Sequence, residues 1–586
     1  MTRDWRPWLV IVAVVFAVHG PTLFFDFTYF DDDKLILMDQ AFLRDPSNVA
    51  RAFQRDVFGT KSPTYRPMLT LSFMGEAWAG GKGPLVYHLT NVALHALATI
   101  GVFLTLVTLG YARGPSLLAS VIFAVHPVLA FAVAWIPGRN DSLLTVLALS
   151  AWLAFRRYVR TQGWGAYAAH VVLFAAAVFT KETAVALPLV ATLYLGLLAR
   201  EALRVRPTAL LAVGWLAVVL GWLALRAPIV AAARPRSVTL ETLALNARSI
   251  LELLGTILVP FALPISPTFS RRGMTIGIVA ALLVVAAIVL LPRERRTYGL
   301  FGVTWFVVLL GPTLAVHQSA VGFEYMHHRA YLPLVGLTIV AVEVFGAVRT
   351  GQGARARALA AIAVAAILAG VTIVHARQFE DGVTFWWAAV RDVPRSADAR
   401  HSLGYVLQRR GDLDGAEAAY RAAIELEPAH PTLSPKYHLN LGIVYELKGR
   451  LDDAARKYAD AIALAPDYAA AHTNLGLLHY GAGQVQAAET EFLLSIALDP
   501  RFTSAHVSMC GLRLRQNRLE EAERFCHSAL ALRPDSQRAL VALAVIYYIQ
   551  GRYRESIQRV DELRARGAPV DRLIPDVVAG LEAYRK

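Results

Sequence analysis

Through residue 375, apolar runs of about 20 residues, the length of a bilayer-spanning helix, alternate with short polar breaks. Beyond that point the chain is as polar as a soluble domain. The runs lie at 8–25, 87–110, 115–133, 139–158, 164–180, 183–199, 207–225, 274–291, 298–316, 331–348 and 357–375. They predict an all-α fold: a polytopic membrane helix bundle of about 11 spans over residues 1–375, then a second helical module. The first run, Pro7 to Phe25, is followed by no small-residue cleavage site and reads as an uncleaved span.

Composition agrees with the pattern. Of 586 residues 56% are hydrophobic and 17% charged, against about 25% charged in soluble domains. The net charge of +14 would suit a nucleic-acid binder. Much of the excess, however, sits in short loops such as Arg156-Arg157 and Arg293-Glu294-Arg295-Arg296, where the positive-inside rule accounts for it. No nucleic-acid partner is expected. The same rule puts Arg3, Arg6, Arg113, Arg160, Arg200 and Arg204 on the cytoplasmic side if the N-terminus is cytoplasmic. Residues 243–263 are ambiguous. Counting them as a span would force Arg293, Arg295 and Arg296 outside. With Asn246, Arg248 and Glu252 in the run, they read instead as an amphipathic helix in the outer interface. The odd count then places the C-terminal module on the non-cytoplasmic side. The Ala/Arg-rich composition points to a bacterial inner membrane; in a eukaryote the same topology would suit the ER membrane.

The second module repeats. Pro466, Pro500 and Pro534 are 34 residues apart, and Pro428 stands 38 before Pro466 because of an insertion around Pro431 to Pro435. Gly411, Gly449, Gly483, Asn517 and Gly551 mark turns. Gly404 with Ala416, Gly442 with Ala454 and Gly476 with Ala488 are the small residues that let two helices of a pair approach closely, and Tyr420, Tyr458 and Phe492 fill the space between neighbours. The pattern resembles tetratricopeptide repeats, about five copies over 397–571, an α-solenoid whose concave face would bind extended peptide, followed by a tail at 572–586. A rigid spacer is the other reading. Cys510 and Cys526 occupy a Gly slot and an aromatic slot; small buried residues are the default, a disulfide the alternative in an oxidising compartment.

Candidate chemistry gathers on the outer face. Asp31, Asp32 and Asp33 follow the first span, and a carboxylate there can take a proton from an attacking hydroxyl. Arg66, Arg139 and Arg329 suit a phosphate by geometry and permanent charge. Lys181 either pairs with Glu182 or touches phosphate. His88, Asn91 and His95 share one helix face, as substrate contacts or as helix-packing hydrogen bonds. His126 stands near the outer end of the third span. Cysteine and histidine spacing offers no metal site, and no cofactor is expected.

In order, Phe30-Asp31-Asp32, Tyr65-Arg66-Pro67, Tyr87-His88-Leu89-Thr90-Asn91 with His95, Phe123-Ala124-Val125-His126-Pro127, Ala134-Trp135-Ile136-Pro137-Gly138-Arg139, Thr180-Lys181-Glu182 and His328-Arg329-Ala330-Tyr331-Leu332-Pro333 resemble the TMTC family. That family comprises tetratricopeptide-repeat O-mannosyltransferases of the glycosyltransferase C (GT-C) superfamily. The resemblance implies inverting transfer of mannose from a polyprenyl-phosphate donor to a Ser or Thr hydroxyl of an acceptor protein. It implies Asp31 and Asp32 as the catalytic pair, one of them the base. His88, Asn91, His126 and Tyr331 fall at the substrate. Leu129 and Phe131 stand where family members often carry His and Glu. Another lipid-linked sugar, a glycan acceptor, or a non-catalytic membrane-anchored repeat scaffold are the rival readings.

Overall fold

The computed structural model describes residues 5–60, 62–81, 83–202, 205–233, 240–261, 263–315, 327–347, 354–426 and 434–585. Arg3, Arg204, Pro428 and Pro431 lie outside them. All regular elements among the described residues are helical. The chain forms two compact units, 1–394 and 395–586.

The first unit is built from α1 (Arg6–His19), α2 (Pro67–Trp78), α3 (Pro84–Thr108), α4 (Arg113–Ala124), α5 (Ala130–Ala134), α6 (Arg139–Thr161), α7 (Trp164–Thr180), α8 (Leu187–Leu198), α9 (Val205–Ala232), α10 (Leu240–Leu258), α11 (Arg271–Leu290), α12 (Arg293–Leu310), α13 (Leu334–Ala347), α14 (Ala354–Ala376) and α15 (Gly382–Asp392). Among the described residues each of the eleven apolar runs is mainly helical. Among them six segments are long and apolar enough to cross a bilayer, and a seventh is the pair Arg113–Ala124 and Pro127–Ala134, bent by 53°. The rest are shorter: α7 ends at Thr180, and α13 covers 14 residues. The run 115–133 is therefore not one straight span. Pro127 has no N–H to donate and its ring would clash with the preceding turn, so α4 stops at Ala124 and the chain bends. In α10 Asn246 and Glu252 are buried while Arg248 is exposed, and Glu252 Oε1 accepts from Ser270 N at 2.8 Å.

The second unit is an array of five helix pairs from Ala397 to Ala565, closed by Pro575–Arg585. Val577, Val578 and Leu581 of that last helix bury against Leu540 and Val560, so the apolar end of the array is covered. Gly411, Gly449, Gly483 and Gly551 all take the left-handed conformation, φ 71–85°, and Asn517 joins them at 57°. This is the helix-ending geometry that Gly and Asn adopt at least cost. In the Gly slots the partner ring lies where a Cβ would go: 2.8 Å from Tyr420 at Gly404, 2.5 Å from Tyr458 at Gly442, 2.7 Å from Phe492 at Gly476. In the fourth copy the same two slots hold Cys510 and Cys526, joined as a disulfide with Cα atoms 5.4 Å apart. The default reading of two small buried thiols is thereby replaced: helices packed as tightly as a Gly–aromatic contact allows bring two cysteine sulfurs into bonding range.

Gly442→Ala is expected to cost about 1–3 kcal/mol, because the added methyl meets a fully buried ring that cannot move aside. A lowered denaturation midpoint of the purified protein would show it; an unchanged midpoint would mean that the helix pair can open.

Candidate active site

The break after α4 shapes everything around it. A broken helix frees backbone carbonyls, and inside a membrane each must find a donor. Three helices supply them. His19 Nε2 and His95 Nε2 reach the Ala124 carbonyl at 3.1 and 2.8 Å, and Thr372 Oγ1 donates to Val125 O at 2.6 Å. Asn91 Nδ2 serves the carbonyls of Val133, Trp135 and Ile136 at 3.1–3.3 Å. His126 turns inward, its Nδ1 accepting from Val128 N at 3.3 Å and its Nε2 lying 3.1 Å from Ile257 O. Gly138 is required where the chain doubles back, since a Cβ there would sit 2.9 Å from Phe131 O.

Arg139 locks this cradle from below. Its Nη1 pairs with Glu76 at 2.7 Å, its Nε donates to Asn91 Oδ1 at 2.9 Å, and its Nη2 donates to Tyr87 O at 2.7 Å. The side chain has no solvent exposure and lies 4.6 Å over the Phe73 ring. Each of its three nitrogens is thus hydrogen-bonded within the protein, an arrangement that positions the surrounding backbone. The Asn91 amide faces backbone carbonyls and Arg139. Tyr331 is also fully buried, its hydroxyl bonded to His95 Nδ1. His88 is buried edge-on to Phe25, 6.2 Å between centroids.

The acidic turn rests on the cradle. Trp135 Nε1 donates to Phe30 O at 2.7 Å, and the Phe30 and Trp135 rings stack at 5.0 Å. Tyr29 and Asp31 both have positive φ, 55° and 70°. Such non-glycine residues cost on the order of 1–3 kcal/mol each and persist where surroundings fix them. The two carboxylates differ. Asp32 is fully buried; its Oδ2 accepts from Thr28 N at 2.7 Å and Thr28 Oγ1 at 3.0 Å. Burial pushes its pKa from 3.8 up to about 7, the Thr28 bonds holding it back. Asp31 is more open, its side chain 30% exposed, with Lys34 Nζ at 3.5 Å. Burial raises its pKa too, while Lys34 and Arg66 work against the rise.

A charged cluster faces the same region. Arg66 pairs with Glu182 at 2.9 Å, and Lys181 with Asp141 at 2.6 Å, so Lys181 and Glu182 each choose a partner from another element instead of one another. His328 lies 3.8 Å from Asp141, and desolvation first, then nearby cations, holds its pKa well below 6.5, so it stays neutral. Arg329 is half-buried and feels the charges of Asp141, Arg66 and Glu182, yet makes no hydrogen bond or ion pair among the described residues. Asp141 is the member that sequence reasoning did not assign a part; a carboxylate at the head of an apolar helix was the available signal. Phe131 packs against Trp135 and Phe379 edge-on and against His328 at a tilt, with centroids 5.0–5.2 Å apart. Among the described residues no group of His, Cys, Asp and Glu is spaced to hold a metal ion.

The Asp32 shift has a sign that can be measured. Its folded pKa lies above its unfolded one, so burial favours the neutral acid; that contribution is present below about pH 4 and is lost as pH rises through about 7. Asp32→Asn, neutral throughout, is expected to lose less stability than the parent between those limits. Parallel melting curves of the two proteins would reveal no divergence if Asp32 titrates as an ordinary carboxylate.

Known proteins bear on this geometry. Profiles described as "Tetratricopeptide repeat" match residues 375–431, 435–501 and 513–573. The chain is 36% identical over 179 residues to "Protein O-mannosyl-transferase Tmtc1" of Drosophila melanogaster, covering 30% of this chain and 21% of that protein. It is 32% identical over 185 residues to human "Protein O-mannosyl-transferase TMTC3", covering 30% and 20%. The matched segment thus spans about a fifth of the length of these curated relatives. A tetratricopeptide repeat protein from Parabacteroides merdae aligns at 23% identity with a TM-score of 0.27, over 32% of this chain and 72% of that one. The chain is a multi-pass membrane protein with a C-terminal tetratricopeptide-repeat array, and it is similar in sequence to the TMTC protein O-mannosyl-transferases.

Proposed function

We propose that the protein is a glycosyltransferase that moves a sugar, mannose by its relatives' names, from a polyprenyl-phosphate donor to a Ser or Thr hydroxyl of an acceptor protein. The observation that carries the reading is one arrangement. An accessible carboxylate, Asp31, sits on a fixed turn within the field of Arg66, and beside Arg66 stands Arg329, with no hydrogen-bond partner among the described residues. In the proposed step Asp31 accepts the acceptor hydroxyl proton as that oxygen attacks the anomeric carbon. The carbon–oxygen bond to phosphate breaks on the opposite face, which inverts the configuration. The phosphate leaves on its lipid, with its charge held by Arg329, and Arg66 and Lys181 sustain the positive field. Asp32 fastens the turn through Thr28.

Two further features support the reading. A cavity of about 420 Å³ lies between the segment after α10 and α14, walled by Phe261, Leu263, Ile367, Gly370 and Val374 with His375 at one end. Its apolar walls suit an isoprenoid tail, and His375 contacts Phe379, which packs on Phe131 and so leads toward His328. The disulfide of the repeats suits a non-cytoplasmic, oxidising compartment, as does the arginine distribution. The repeats would then engage the acceptor polypeptide on that side through their concave face.

The test is transfer in detergent or liposomes from labelled polyprenyl-phosphate mannose or glucose to a peptide pool. Asp31→Asn is expected to lower turnover by about 10²–10⁴-fold with the fold retained, and Asp32→Asn to lower it less. Turnover should also fall on acidification at a higher pH than an ordinary aspartate with pKa 3.8 would give. Equal turnover in wild type and Asp31→Asn would remove Asp31 from the chemistry.

A further inference from the structure

The helix that joins the last span to the repeats belongs, by its sequence pattern, to the repeats: the first tetratricopeptide profile begins at residue 375 and so takes in α15. By packing it belongs to the membrane unit, which extends to Pro394. What it packs against is the acidic turn. Phe385 is fully buried and stacks on Phe30 at 5.3 Å, while Trp386 meets the same ring edge-on at 5.6 Å. Phe30 therefore contacts Trp135 of the cradle and both aromatics of α15. Just ahead of α15, Glu380 O accepts from Asp26 N at 2.8 Å, tying the backbone before the turn to the backbone before the helix. α15 is itself fastened at both ends. Asp381 Oδ1 caps it through Thr384 N at 2.8 Å, and Asp392 Oδ2 accepts from Ile265 N at 2.6 Å.

The turn carries two left-handed non-glycine residues, Tyr29 and Asp31. Its internal bonds include those of Asp32 with Thr28, the ion pair of Asp31 with Lys34, and a 3.3 Å bond from Phe30 N to Thr28 Oγ1. These act on the backbone and the carboxylates. The ring of Phe30, the residue between the two left-handed positions, packs against Trp135 and α15.

We infer that α15 is a clamp on the acidic turn, and that Phe385 and Trp386 are positioning residues holding Asp31 where it can take a proton. The inference rests on the transferase reading for the part played by Asp31, but the clamp itself can be read without any turnover. Four residues, Val393 to Ser396, separate α15 from the first helix of the repeat unit. The segment that launches the repeats is thus also a wall of the site, and a tension or rotation arriving along the chain from a bound acceptor has a short route to the turn.

The experiment is hydrogen–deuterium exchange on the full-length protein, paired with transfer kinetics, for Phe385→Ala, Trp386→Ala and the conservative Trp386→Phe. Phe30→Leu removes the clamped ring from the other side and leaves α15 intact, which guards against a variant that fails to fold. Amides of residues 26–37 are expected to exchange at least tenfold faster in the two alanine variants and in Phe30→Leu, with the rest of the membrane unit unchanged and Trp386→Phe close to wild type. Turnover should fall about tenfold at unchanged KM for donor and acceptor, and its acid limb should move. Unaltered exchange in the turn, or acceleration spread evenly over the unit, overturns the clamp. Faster exchange with unchanged turnover overturns the positioning role. Faster exchange in a protein whose wild type transfers no sugar leaves the clamp standing and removes the transferase reading instead.

Discussion

The constraint behind the membrane unit is that backbone polar groups away from water must be paired. The chain breaks its own helix at Pro127 and then needs donors for carbonyls from Ala124 to Ile136. His19, Asn91, His95 and Thr372 answer that need from three helices that are far apart in sequence. The irregular segment can exist because it is enclosed by protein, and once enclosed it provides what a straight span cannot. It presents Trp135 to the acidic turn and starts α6 with Arg139 pointing into Glu76. A buried arginine–carboxylate pair is weak evidence for added stability, but removing one partner would strand a charge at a cost of about 3–5 kcal/mol. Arg139 is thus better understood as fixing a geometry than as adding stability.

The charged residues around the acidic turn and the broken helix sort by how fully they are engaged. Arg139 is fully buried with all three nitrogens bonded, Arg66 and Lys181 are paired with Glu182 and Asp141, and Arg329 is half-buried beside both pairs. This gradation runs from architecture to chemistry. Groups with every donor satisfied set positions. Groups with spare donors within the same field are the ones available to an incoming anion. Asp32 and Asp31 divide in the same manner, one buried against Thr28 and one open to its surroundings.

Much of this was legible in the sequence. The repeat period and its turn residues follow from local rules, and both appear in place; that each Gly of a pair lies against the Tyr or Phe ring of the second helix emerged only from the packing. The apolar runs announced helices, since a run of suitable length has few alternatives. What could not be read was pairing at a distance. Nothing near Arg139 in sequence indicates Glu76, 63 residues away, so its permanent charge looked as available as that of Arg329. Lys181 and Glu182 are adjacent and invite a mutual pair, yet adjacent side chains at a helix junction diverge, and each meets a carboxylate or guanidinium from elsewhere. Pro127 was visible, but whether the chain beyond it continues as a span or turns back depends on whether other helices can satisfy the freed carbonyls. The acidic turn was noticed for its charge; its dependence on Phe30, an uncharged neighbour, was not.

The covalent joint in the fourth repeat has a consequence for how the array comes apart. A stack of repeats held only by neighbours frays from its ends, one helix pair at a time. Here fraying that begins at the closing helix meets, at Cys510 and Cys526, a pair whose two helices cannot separate while the sulfurs are joined. The bond acts as a stop on the zipper. The repeats ahead of it are shielded from unravelling that starts behind it, and a reducing environment would lengthen the stretch that opens as one piece.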